Sequence, residues 1–276
     1  MRCVLEKRKA LLVLFVVVLI AMQVAPNRLA YRAVRAVGRV LPAEQIEGIY
    51  CSENFQLLLT EDEPVLAQAM LGQLERGLAD LRVWLPDQSP KPIVVRLHGS
   101  QESLQQVLGG HYAPTVGAYY LGRLELLAPE AWRSDLGQEE ALAYYEAEGP
   151  VVHELTHLLL DYQAVGKYPI WFSEGLAQYW EMRLRGYVWQ EGGTEWKSQP
   201  HSLADIDGNF TALPEAIAYQ ESLSLVQFMY TTVGDERMHE FILDLGQGKQ
   251  FLTVLQDRLE LTIGKMECAW RAWLLE

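Results

Sequence analysis

Apolar residues along this chain fall into blocks of differing length and period. The longest, 10–26, carries no charge. Seventeen residues lie at the short limit for crossing a bilayer, and also fit the apolar core of a secretory signal. Before Ala25 the position three residues back from a cut would be Gln23, not a small residue, so an uncleaved anchor is the expectation preferred over a cleaved signal. Beyond it the blocks shorten. The run 55–60 predicts a strand, and Leu66, Met70, Leu74, Leu78 and Leu81 keep helical spacing over 65–84 up to Pro86. A second strand is predicted over 92–97, then a helix capped by Ser100 and broken at Gly109-Gly110. Residues 116–128 predict two strands turning near Gly122, whose exposed edge would suit an extended peptide. Helices follow over 138–148, from Pro150, and from Pro169, proline being favoured in a first helical turn. After a loop over 187–213, helices are predicted over 214–232, 238–245 and 251–259, with Gly234 as a break, and a last one from 263.

The pattern describes an α+β chain. A small sheet-bearing N-terminal lobe (55–165) leads into a mostly helical C-terminal lobe (166–276). A membrane helix (1–26) and a basic helix with linker (27–54) precede both.

Charge sharpens this division. Residues 1–41 hold eight arginines and lysines against Glu6, so a chain of net charge −13 has a body, 42–276, of −20. An acidic body without a basic patch argues against nucleic-acid binding. Arg28, Arg32, Arg35 and Arg39 form one stripe of a helix that could lie on lipid headgroups. Positive charges flank the apolar run equally, so they do not orient it. The stripe favours a short inner tail, one crossing, and a body outside the cytoplasm, periplasmic or extracellular, or secreted if the anchor is cut. Three cysteines are too few for a disulfide scaffold, though Cys51 and Cys268 would tie the two ends of an exported body.

The chemistry gathers at His153-Glu-Leu-Thr-His157. Histidines four apart share one helix face and can grip one metal ion, with Glu154 on its open side. Zinc lowers the pKa of a bound water, and a carboxylate so placed takes the proton as that water attacks a carbonyl. Seventeen residues after His157, in Trp171-Phe-Ser-Glu174-Gly-Leu-Ala177, Glu174 falls in the first turns of a new helix and can complete a two-histidine, one-carboxylate site.

These two segments resemble the gluzincin metallopeptidases of the peptidase MA-like branch, and 153–162 resembles the thermolysin active-site helix, Asp161-Tyr162 included. The resemblance is specific over 150–182. It implies one zinc per chain held by His153, His157 and Glu174, with Glu154 as general base and an active-site helix beneath the edge of the sheet. In the thermolysin-like pattern an aspartate follows the ligand glutamate by four residues and accepts from a histidine. Here Gln178 stands at that position and Ser173 precedes the ligand, so these two are the expected supports of the imidazoles. Tyr219, opening a C-terminal helix, is the candidate oxyanion donor. His98, His111, His201 and His239 lack ligand spacing. The expected function is membrane-anchored, zinc-dependent hydrolysis of peptide bonds. The alternative is a zinc-bearing, non-catalytic module that binds peptides or an envelope partner. Substrate preference and oligomeric state are not legible.

Overall fold

The computed structural model describes residues 27–40, 46–109, 115–189 and 193–275. Helix α1, Asn27–Val40, leads into strands β1, Gly48–Cys51, and β2, Phe55–Leu59. Helix α2, Pro64–Arg82, strand β3, Ile93–His98, and helix α3, Gln101–Leu108, follow. Ser100 caps α3, its hydroxyl accepting from the Ser103 amide at 3.2 Å. Strands β4, Gly117–Tyr120, and β5, Arg123–Leu127, form a hairpin whose two turn residues, Leu121 and Gly122, both have positive φ. That turn geometry matches the twist of antiparallel strands.

The five strands lie in the order β1-β2-β3-β5-β4, parallel in the middle and antiparallel at both ends. Strand β4 is therefore an edge of the sheet among the described residues. β3 and β5 are buried along their whole length, as central strands covered on both faces must be. Strand β1 lies within the stretch expected as linker. Its four residues, Gly-Ile-Tyr-Cys, carry too short a pattern to announce a strand.

Helices α4, Pro129–Trp132, and α5, Gln138–Glu148, lead to α6, Val151–Ala164, and α7, Ile170–Arg185. Each of the last two starts directly after a proline. The stretch expected as a loop contains the short helix α8, Leu203–Gly208. Helix α9, Glu215–Gly246, runs through a non-helical residue at Gly234 (φ 81°), and α10, Phe251–Leu259, and α11, Ile263–Trp273, complete the chain. One buried cluster runs from Phe55, Leu57 and Val95 in the sheet, through Leu155 and Leu158 of α6, to Trp171, Phe241 and Trp270. The α6 helix is thus held on both sides, by sheet and by helices.

The expectation of a single-pass membrane protein with its body outside the cytoplasm is corrected by this structure. Among the described residues no helix is long and apolar enough to cross a membrane. The run 10–26 lies outside the described residues. Nor does the basic helix turn its whole arginine stripe outward to lipid. Arg35 is 4 % exposed, with its Nε 3.0 Å from Asp161 of α6 and its guanidinium over the rings of Tyr31 and Tyr162. A carboxylate and two aromatic faces supply what headgroups would have supplied. Arg123 ties the far end of α1 to the sheet by donating to the Gly38 carbonyl. Cys51 and Cys268 are both exposed and free rather than bridged.

Candidate active site

His153 and His157 project from one face of α6, ring centroids 4.7 Å apart. Glu174 comes from the second turn of α7, and its Oε2 lies 3.3 Å from His153 Nε2 and 3.5 Å from His157 Nε2. One ligand atom from each of the three residues falls within 4.8 Å of the others, the one such histidine–carboxylate group among the described residues. Close packing makes this convergence attainable. A Cβ on Gly175 would stand 2.2 Å from the Ser222 carbonyl of α9, so only glycine lets α7 settle this deeply beside Glu174.

Both imidazoles are fixed from behind. His153 Nδ1 donates to Glu181 Oε2 at 2.8 Å, and His157 Nδ1 lies 2.8 Å from Ser173 Oγ. With each Nδ1 engaged outward, Nε2 is the ring nitrogen turned to Glu174 and the one a metal would take. Ser173 is thus where the motif placed it. Gln178 is not: its amide donates to the carbonyls of Glu174 and Tyr219, at 3.3 and 2.9 Å, and its own oxygen has no partner among the described residues. Glu181, two helical turns after Glu174, takes the place expected for Gln178. The signal that could have found it is the seven-residue interval, which returns to the same face of a helix.

Glu154 reaches from α6 to the sheet edge, near enough to His153, His157 and Glu174 to feel their charges. Its Oε2 accepts from the Tyr119 amide of β4 at 2.6 Å. Gly117 permits the approach, since a Cβ there would come within 2.9 Å of Pro150 and 3.1 Å of Glu154 Cγ. Tyr119 is held at its other end as well, its hydroxyl donating to Asp161, which also accepts from Tyr168 at 3.2 Å and pairs with Arg35. A line of contacts therefore runs from α1 through Asp161 and Tyr119 to Glu154.

The local field is set by buried carboxylates. Burial raises the Glu154 carboxyl above its usual value, against the opposing pull of His153 and His157. Burial also works against charge on Glu174, but His157 and His153 outweigh it and hold this carboxyl well below the usual range. Burial would lower His153, yet Glu181 and Glu174 raise it well above an ordinary histidine. Negative charge thus gathers around the two Nε2 atoms, which suits a cation. Tyr219 lies beside this group on α9, between Phe210 and Trp189. Burial, and then the negative charge of Glu174, push its hydroxyl far up, so it stays protonated. The remaining described histidines are engaged elsewhere: His98 with Glu125 and Ser103, His201 with Glu221, and His239 with the Trp84 carbonyl. His111 lies outside the described residues.

A family model described as the peptidase MA superfamily matches residues 138–276, half of the chain. The chain belongs to the peptidase MA superfamily. The match takes in α5 to α11, hence His153, Glu154, His157, Glu174, Glu181 and Tyr219, and leaves the sheet with Tyr119, and α1 with Arg35, outside it. No curated protein matches the chain. Among solved structures, an M1 zinc metallopeptidase from Deinococcus radiodurans aligns with 17 % identity and a TM-score of 0.45, covering 83 % of this chain and 51 % of the other. A point variant of that enzyme aligns at 17 % and 0.44 over the same shares. A two-domain M1 zinc metallopeptidase variant bound to L-arginine aligns at 17 % and 0.39, over 85 % and 50 %. The chain thus spans about half the length of these structures.

Proposed function

We propose that this member of the superfamily is a zinc-dependent peptidase in which His153, His157 and Glu174 hold one zinc ion and Glu154 is the general base. The observation that carries the reading is the convergence of two Nε2 atoms and one carboxylate oxygen, with both Nδ1 atoms engaged outward. Two neutral imidazoles and a carboxylate are a donor set that suits zinc and leaves a coordination position for chemistry. When bound, zinc lowers the pKa of a water toward neutrality and polarises a carbonyl.

The protein's own groups supply the remainder. Glu154, 6 % exposed and anchored to the Tyr119 amide, accepts the proton that the attacking water gives up and returns it to the leaving amine. Its upward-shifted carboxyl is suited to both transfers. Tyr219, protonated and beside Glu174, donates to the oxygen of the scissile carbonyl as charge develops there. The β4 edge, next to Glu154, offers an extended peptide the backbone groups that Glu154 and Thr115 leave unengaged, which suits substrates of varied side chains.

The non-catalytic alternative drew its support from the missing aspartate at position 178. Glu181, as a carboxylate partner of His153, weakens that support. Metal analysis of the full chain, paired with hydrolysis of an unstructured peptide before and after chelation, tests the proposal. One zinc per chain and activity lost on chelation and restored by zinc are expected. Zinc bound without hydrolysis would favour the binding module, and absence of zinc affinity would end both readings.

A further inference from the structure

A cavity of about 700 Å³ opens on the far side of α6, where α1 meets the body. Arg32, Arg35 and Arg39 enter it from α1, Gln88 from the segment after α2, Gln163 from the end of α6, and Gln247 from the end of α9. No described lining residue carries a carboxylate, although acidic residues outnumber basic ones 36 to 23 in the whole chain. Arg35 is neutralised from behind by Asp161. The Arg32 side chain has no hydrogen bond or ion pair with any described residue, and that of Arg39 has one, from Nη2 to the Pro92 carbonyl at 2.6 Å. Two guanidinium groups thus share a concave space without a described counter-charge, and three amide side chains add N–H donors. Ala36, Pro90 and the side chain of Leu243 give the same space an apolar part.

From this composition we infer a binding site for a small organic anion that carries a multivalent oxyanion group, phosphate or polycarboxylate. Planar guanidinium forks match the paired oxygens of such a group, and the glutamines can complete its hydrogen bonds. Ala36, Pro90 and Leu243 would cover its carbon skeleton. The volume is ordinary for a small-molecule site. The site is separate from the histidine–glutamate group, and the inference does not depend on peptidase activity.

The test uses the full chain, with inorganic phosphate and succinate as probes, sodium chloride at matched ionic strength as control, and thermal shift and calorimetry as readouts. Saturable binding of at least one probe is expected, with half-saturation at or below about 10 mM. The probe that binds tells phosphate from carboxylate. Arg32→Gln removes an exposed cation, and Gln247→Glu places a carboxylate in the wall at nearly constant shape. Loss of about tenfold in affinity in either variant, with zinc content unchanged, supports the site. The inference is overturned if neither probe binds saturably beyond the chloride control, or if binding is unaltered in both variants.

Discussion

Glu181 decides the orientation of His153, and its removal gives the clearest residue-scale prediction. Glu181→Gln should weaken zinc binding by about 10–100-fold, whereas Gln178→Ala should leave it nearly unchanged, as read by competition with a chromogenic chelator. Equal effects would return the supporting role to Gln178. Tyr219 makes a different kind of contact. Tyr219→Phe should lower kcat by about 100-fold or more with little change in KM, because the role proposed for its hydroxyl is on charge that develops only in the transition state. A fall in zinc affinity with kcat unchanged would recast it as a support for Glu174. The ligand candidates were legible as a motif because the donors lie four residues apart on one helix and at the start of the next. Glu181 was not, because a seven-residue interval carries meaning only once α7 is known to continue unbroken to Arg185.

Elements bring these residues together through two close approaches and one buried ion pair. Gly175 lets α7 sink against Ser222 and Val226 of α9. Gly175→Ala forces the helices apart and should cost about 1–3 kcal/mol in chemical denaturation, with zinc affinity falling too because Glu174 moves with the helix. The second approach, at Gly117, brings the β4 edge onto Glu154. The ion pair joins α1 to α6: Arg35 and Asp161 are 4 % and 1 % exposed, so removing one partner leaves a buried charge uncompensated. Arg35→Ala should cost about 3–5 kcal/mol in urea unfolding, and Arg35→Lys should recover part of it. The arginine stripe in α1 was readable as a helix face. Its destination was not, since the same spacing serves a lipid surface or a buried carboxylate. Only the fold shows Asp161 opposite Arg35.

At the scale of the molecule, the sheet and the helical half share one core, and α6 crosses it with Glu154 turned toward the sheet and both histidines toward the helices. The broad α+β plan could be read from the apolar blocks, because strands of five or six residues and helices of ten or more bury different periods. The proposed chemistry draws on both halves, and the family match covers only the helical one. The measurement that bears most directly on the proposed mechanism is the Glu154→Gln variant, assayed for zinc content and peptide hydrolysis on the same preparation. Loss of the proposed general base with the ligand group intact predicts about one zinc per chain and a rate lower by about 100-fold or more. Near wild-type hydrolysis in a variant that retains its zinc would contradict the assignment of Glu154.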